Sequence, residues 1–143
     1  MRRTVLFIIV LCLWAVPALS ADLVGSVKTL QGEAWIVRGG QQLPAGVGDE
    51  VKQNDLLKTG DGSMGVLFHD DTSIALGPRT EILIDEFVFD PAAKNTGFSA
   101  EMLKGTALFV TGQIAKIEPE SFKVRTPMST IGIRGTKFLL TVP

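Results

Sequence analysis

The chain has no tyrosine, one histidine, one cysteine and two tryptophans in 143 residues, and each shortage removes a class of chemistry. Cys12 and Trp14 both fall in an N-terminal apolar run, so the remainder is free of cysteine and keeps only Trp35. Without cysteine there is neither a disulfide nor a thiol redox motif, even in a compartment that would permit one. One tryptophan and no tyrosine make a row of exposed rings for sugar or base stacking hard to assemble, although seven phenylalanines remain after residue 20. Charge of one sign is also missing: 14 Lys and Arg stand against 15 Asp and Glu. Phosphate neutralisation needs a basic face, so nucleic acid is not expected as a partner. Collagen, coiled coil and disorder are excluded by the same composition, and the length suits one ordinary domain.

The one long hydrophobic run is at the start. Arg2 and Arg3 precede it, residues 5–16 are continuously apolar, and Ala18 and Ser20 place small residues at −3 and −1 of a cut before Ala21. This reads as a secretory signal peptide over residues 1–20, cleaved between Ser20 and Ala21. A spanning helix needs roughly 20 apolar residues, so an uncleaved anchor is the weaker reading. Leu11 stands before Cys12 where a lipoprotein site would have a small residue, which argues against lipidation. Removing the leader leaves 123 residues and moves the formal charge from −1 to −3. The mature chain, residues 21–143, is expected to have no transmembrane helix and to be periplasmic or secreted.

All 15 glycines and six of the seven prolines fall in that mature part, which leaves few windows where a helix could nucleate and propagate. Between them lie short runs of period-two alternation: residues 24–30, 33–38, 55–59, 64–69, 73–76, 80–89, 101–110, 121–125, 130–133 and 138–142. In the clearest, Phe122 and Val124 share one face and the polar neighbours the other. Residues 90–97 read as a loop, because Pro91 cannot join a ladder and Asn95 and Gly97 tolerate positive φ. The expected architecture is all-β: a single compact domain of short strands, either a roll or solenoid-like stack or a β-sandwich.

Catalytic and ligand motifs are thin. Residues 60–65 match G-x-G-x-x-G literally, but a phosphate site needs a helix after the glycines and the run from Val66 to His69 reads as a strand. A hairpin turn at Asp61 and Gly62 explains those glycines instead. His69, Asp70 and Asp71 invite a metal reading, yet neighbours in a strand point to opposite faces, so solvated turn residues are favoured. Ser63 or Ser73 with His69 would be a minimal hydrolase set, without a nucleophile elbow around either. The acid pairs Asp49–Glu50 and Asp85–Glu86 read as solvated faces rather than facing carboxyls across a cleft. No cofactor and no metal is expected.

The most distinctive stretch is near the end. Pro127 after Thr126 ends one strand by withholding its amide, Ile131 and Ile133 begin another, and Gly135 permits a bend before Phe138. Arg134 between them has a planar five-donor fork that suits turn carbonyls and a nearby carboxylate, or an anionic ligand.

These residues together resemble the FecR domain family. The resemblance runs from Gly25, Gly32 and Arg38 through Gly48-Asp49, Asp55 and Thr59-Gly60. It continues over Phe68-His69-Asp70-Asp71-Thr72 and Leu76-Gly77-Pro78 to Thr126-Pro127 and Arg134-Gly135-Thr136-x-Phe138. One departure is Asp71, which stands where the family has glycine in its middle turn; Asp tolerates positive φ better than most residues. The resemblance implies a non-catalytic all-β periplasmic module. In the regulators that name the family, such a domain senses an outer-membrane siderophore transporter and relays the signal through a membrane helix to an anti-sigma segment. No such helix follows here, so sigma-factor relay by this chain alone is not expected. The motif residues Asp70, Gly77, Pro78, Thr126, Pro127, Arg134, Gly135, Thr136 and Phe138 are expected to be structural. The leading expectation is an exported sensing or protein-interaction module with an envelope protein or ligand as partner. The alternative is a cell-wall or glycan-binding domain.

Overall fold

A computed structural model describes residues 23–133 and 135–143. The expected leader, its cut between Ser20 and Ala21, and Arg134 lie outside the described residues. Twelve strands are described: β1 (Leu23–Gln31), β2 (Ala34–Arg38), β3 (Gln41–Pro44), β4 (Glu50–Lys52), β5 (Leu56–Thr59), β6 (Ser63–Phe68), β7 (Ser73–Leu76), β8 (Glu81–Asp90), β9 (Asn95–Val110), β10 (Phe122–Arg125), β11 (Thr130–Gly132) and β12 (Lys137–Val142). A short helix, α1 (Gln113–Ile117), and a 3-10 turn (Pro119–Ser121) follow β9. The chain is an all-β single domain whose strands form one sheet, curled into a half-barrel.

Strand β9 organises the curl. Its first half pairs β8 on one side and β10 on the other, while its second half pairs β7 and β12. One wing therefore runs β3-β2-β5-β8-β9 and on to β10 and β11, and the other β4-β1-β6-β7-β9-β12. The switch falls at Gly105, with φ +99°, where an added Cβ would sit 2.5 Å from the Thr80 Cα. Only glycine combines that dihedral with that approach. All ladders are antiparallel except β9–β10, and the chain makes that parallel return through α1 and the 3-10 turn.

The wings close on a phenylalanine core. Phe68 of one wing lies 5.8 Å from Phe87 and 5.2 Å from Phe98 of the other, ring centre to ring centre, and Phe98 stacks on Phe122 at 4.5 Å. Alternation delivers this: β6 buries Met64, Val66 and Phe68, and β10 buries Phe122 and Val124 as its pattern predicts. Each fully buried ring removes enough apolar surface from water to contribute about 2–3 kcal/mol.

Three expectations change. Residues 60–62 do not close a hairpin, because β5 pairs β2 and β8 while β6 pairs β1 and β7. The segment instead crosses between wings, and Gly62 presses on the Gln31 carbonyl oxygen so closely that a Cβ would overlap it. The loop expected over residues 90–97 shrinks to its first half, since Asn95 and Gly97 belong to β9 and Lys94 takes the positive φ. Strands β3 and β4 and helix α1 were not foreseen; each is short, and β3 and β4 carry few apolar residues.

Candidate functional site

The polar side chains of the motif gather at the turns, and burial separates them. His69 and Asp71 are exposed, but Asp70 between them is fully buried. The expectation of three solvated turn residues is therefore corrected for Asp70. Its Oδ1 accepts from the Thr72 amide at 3.1 Å, and its Oδ2 accepts from the Thr72 hydroxyl at 2.7 Å and the Ile114 amide at 3.2 Å. Its carbonyl accepts from the Gln113 amide at 2.6 Å, and the Thr72 hydroxyl accepts from the Gly112 amide at 3.0 Å. Helix α1 has no side-chain cap of its own, so the turn after β6 supplies the acceptors its first amides lack. Asp71 adopts φ +67°, the left-handed conformation expected for the place where the family has glycine.

A second cluster holds the turn at Gly77 and Pro78. The Thr59 hydroxyl donates to the Gly77 carbonyl at 2.6 Å and accepts from the Thr80 amide at 3.0 Å. The Thr80 hydroxyl donates to the Thr106 carbonyl at 3.1 Å and accepts the Thr106 amide at 3.0 Å. Pro78 itself is exposed.

The third cluster is an ion pair that sequence reading left unmatched. Asp55 is buried, and its carboxylate takes two bonds from the Arg38 guanidinium, at 2.8 and 2.7 Å, and one from the Lys52 amide at 2.8 Å. Arg38 also donates to the Glu50 carbonyl at 3.1 Å. The bond to Asp55 raises the Arg38 pKa above its ordinary value, burial opposes this, and the charges of Asp55, Glu50 and Asp49 add to the rise. An open groove of about 390 Å³ beside it is lined by Ile36, Arg38, Leu43, Pro44, Asp49 and Glu50.

Toward the end of the chain, Thr126 closes the β10–β11 turn. Its hydroxyl accepts from the Ser129 amide at 3.1 Å and its amide donates to the Ser129 carbonyl at 2.7 Å, with Pro127 just past the strand end. The Thr111 hydroxyl donates to the Gly135 carbonyl at 3.0 Å and its amide to the Thr136 carbonyl at 2.9 Å. Gly135 takes φ +132° at the bend, and Phe138 stacks on Phe109 at 4.7 Å. A wider groove of about 540 Å³ lies between α1 and this bend, with Ile117, Ile133 and the acids Glu118 and Glu120 in its walls.

No metal site is assembled among the described residues. No group of three or more His, Cys, Asp or Glu converges there. Ser63 starts β6 and His69 follows its end, which sets them about 20 Å apart along an extended strand. The remaining acids are surface groups: Asp49, Glu50 and Glu86 are exposed, and Asp85 meets Arg125 at 2.7 Å. No described helix is long and apolar enough to cross a membrane.

The profile of one family, described as FecR protein, matches residues 55–142. The chain belongs to the FecR family. The matched span starts at Asp55 of the ion pair and runs past Asp70, the Gly77 turn and the Gly135 bend, so it contains the bonded clusters just described except Arg38, Glu50 and Lys52. FecR domains are generally non-catalytic modules of envelope signalling, typically in the periplasm or envelope. No curated protein and no solved structure matches the chain.

Proposed function

We propose that this FecR protein is exported and works by binding an envelope protein or ligand, as a sensing or interaction module tied to envelope signalling. Family membership over residues 55–142 carries the reading. The bonding of the motif agrees with it: Asp70, Gly77, Thr126, Gly135 and Thr136 spend their polar groups on the fold's own turns. A structural role for Pro78, Pro127, Phe138 and Arg134 belongs to the same proposal. Export follows from the leader, with cleavage between Ser20 and Ala21 and a periplasmic or secreted product. The glycan-binding alternative rests on Trp35, which lies beside Gly60 and is half-buried.

Binding is tested by placing a photocrosslinking residue at Ile117 or Met128, exposed apolar positions at 52% and 87%. Irradiation of living cells should give a discrete adduct with one envelope component from at least one of the two. Correctly exported protein that gives no adduct above the dark control would overturn the proposal. Mass analysis of the exported chain should find Ala21 as its first residue; an intact Met1 on cytosolic protein would remove the export step.

A further inference from the structure

Among the described residues, β3, β4, β11 and β12 each pair with a strand on one side alone. Three of them carry the features by which native edges resist pairing. Strand β4 has three residues, two of them charged, β11 has three, and β3 has two glutamines and ends on Pro44. Strand β12 differs. It is six residues long, unbulged against β9, free of proline, and charged only at Lys137.

Its side chains on both faces are left incompletely covered. On the inner face Phe138 and Leu140 pack on the core yet remain partly exposed. On the outer face Leu139 is 67% exposed and ends a cross-strand row through Leu108, Ala75 and Gly65. A further strand beside β12 would cover Phe138 and Leu140 and extend that row.

The β12 sequence fits itself. In antiparallel pairing about a two-fold axis at Leu139, Leu139 meets Leu139 of the second copy, Phe138 meets Leu140, and Lys137 meets Thr141. Every pair keeps inner residues with inner and outer with outer, as cross-strand neighbours require. No like charges meet, and Pro143, which has no amide to give, stays outside the ladder. We infer that a second copy of this chain pairs along β12, joining the β4-β1-β6-β7-β9-β12 wings of two molecules into one continuous sheet.

The test uses the exported chain from Ala21 onward, which carries no native cysteine. Directly opposed residues lie about 4.5–5.5 Å apart at Cα, within disulfide range. Leu139→Cys should therefore oxidise to a covalent dimer far faster than Val47→Cys, an equally exposed loop position at 66%. Lys137→Cys and Thr141→Cys should crosslink when mixed and not separately. Wild-type protein should sediment at twice the single-chain mass and Leu139→Lys at the single mass, with unchanged circular dichroism. A single-chain mass for wild type at high micromolar concentration, or equal crosslinking at positions 139 and 47, would overturn the inference.

Discussion

The carboxylate of Asp70 caps a helix whose Ile114 amide lies 44 residues further along the chain, at 3.2 Å. The turn after β6 and the start of α1 are thus one hydrogen-bonded unit. Asp70→Ala would leave the Thr72 amide and hydroxyl and the Ile114 amide without their acceptor in a dry site, costing about 3 kcal/mol or more. Asp70→Asn keeps one acceptor oxygen and should cost less. Urea unfolding of both variants checks the order; equal stability of Asp70→Ala and wild type would refute the capping role.

The Arg38–Asp55 pair should be needed for stability without making it pH-sensitive through Arg38. Arg38→Met strands a buried carboxylate on a single amide. The loss expected is about 2–3 kcal/mol, below that for fully buried pairs because the Arg38 side chain is 35% exposed. A raised folded-state pKa gives stability that is complete below the unfolded arginine value and lost only as pH climbs through the folded one. Arginine titrates far above neutrality, so its own protonation should add no slope between about pH 6 and 9. Unfolding of wild type across that range, compared with Arg38→Met, checks it.

Gly105→Ala should be among the most damaging single-methyl additions, at about 3 kcal/mol or more, because positive φ and the Thr80 contact act together. Gly40, at φ +77° with open space around it, isolates the dihedral part, and its alanine variant should cost about 1 kcal/mol. Similar melting temperatures for the two variants would contradict this.

At position 71 the strain should be slight. Asp71→Gly is expected within about 0.5 kcal/mol of wild type, the relieved dihedral offsetting the lost Gln113 contact at 2.8 Å. Asp71→Val, β-branched at φ +67°, should lose about 2 kcal/mol. Thermal unfolding of the pair reads the difference directly.

What the residues disclosed locally, the fold kept. Alternation located β1, β7, β8, β10 and β12 to within a residue or so, because a half-buried strand must repeat every second position. Strand β3, Gln-Gln-Leu-Pro, has no such period and owes its extended form to the ladder with β2. The glycines at 60 and 62 announced a turn correctly but could not say which strands it joined, since that depends on partners far along the chain. Asp70 reads as solvated for the same reason: a polar turn looks open until the helix that covers it arrives from residue 113. Arg38 and Asp55 were both visible as separate motif residues, and their opposite charges were the one signal that could have coupled them.

The sixteen-residue strand β9 bonds to β7 and β8, which precede it, and to β10 and β12, which follow it. Strand β9 cannot open without parting both wings, so hydrogen exchange along it should report whole-molecule opening. The same dependence makes folding wait for β10 and β12, and the long sequence separation of these pairings makes it slow.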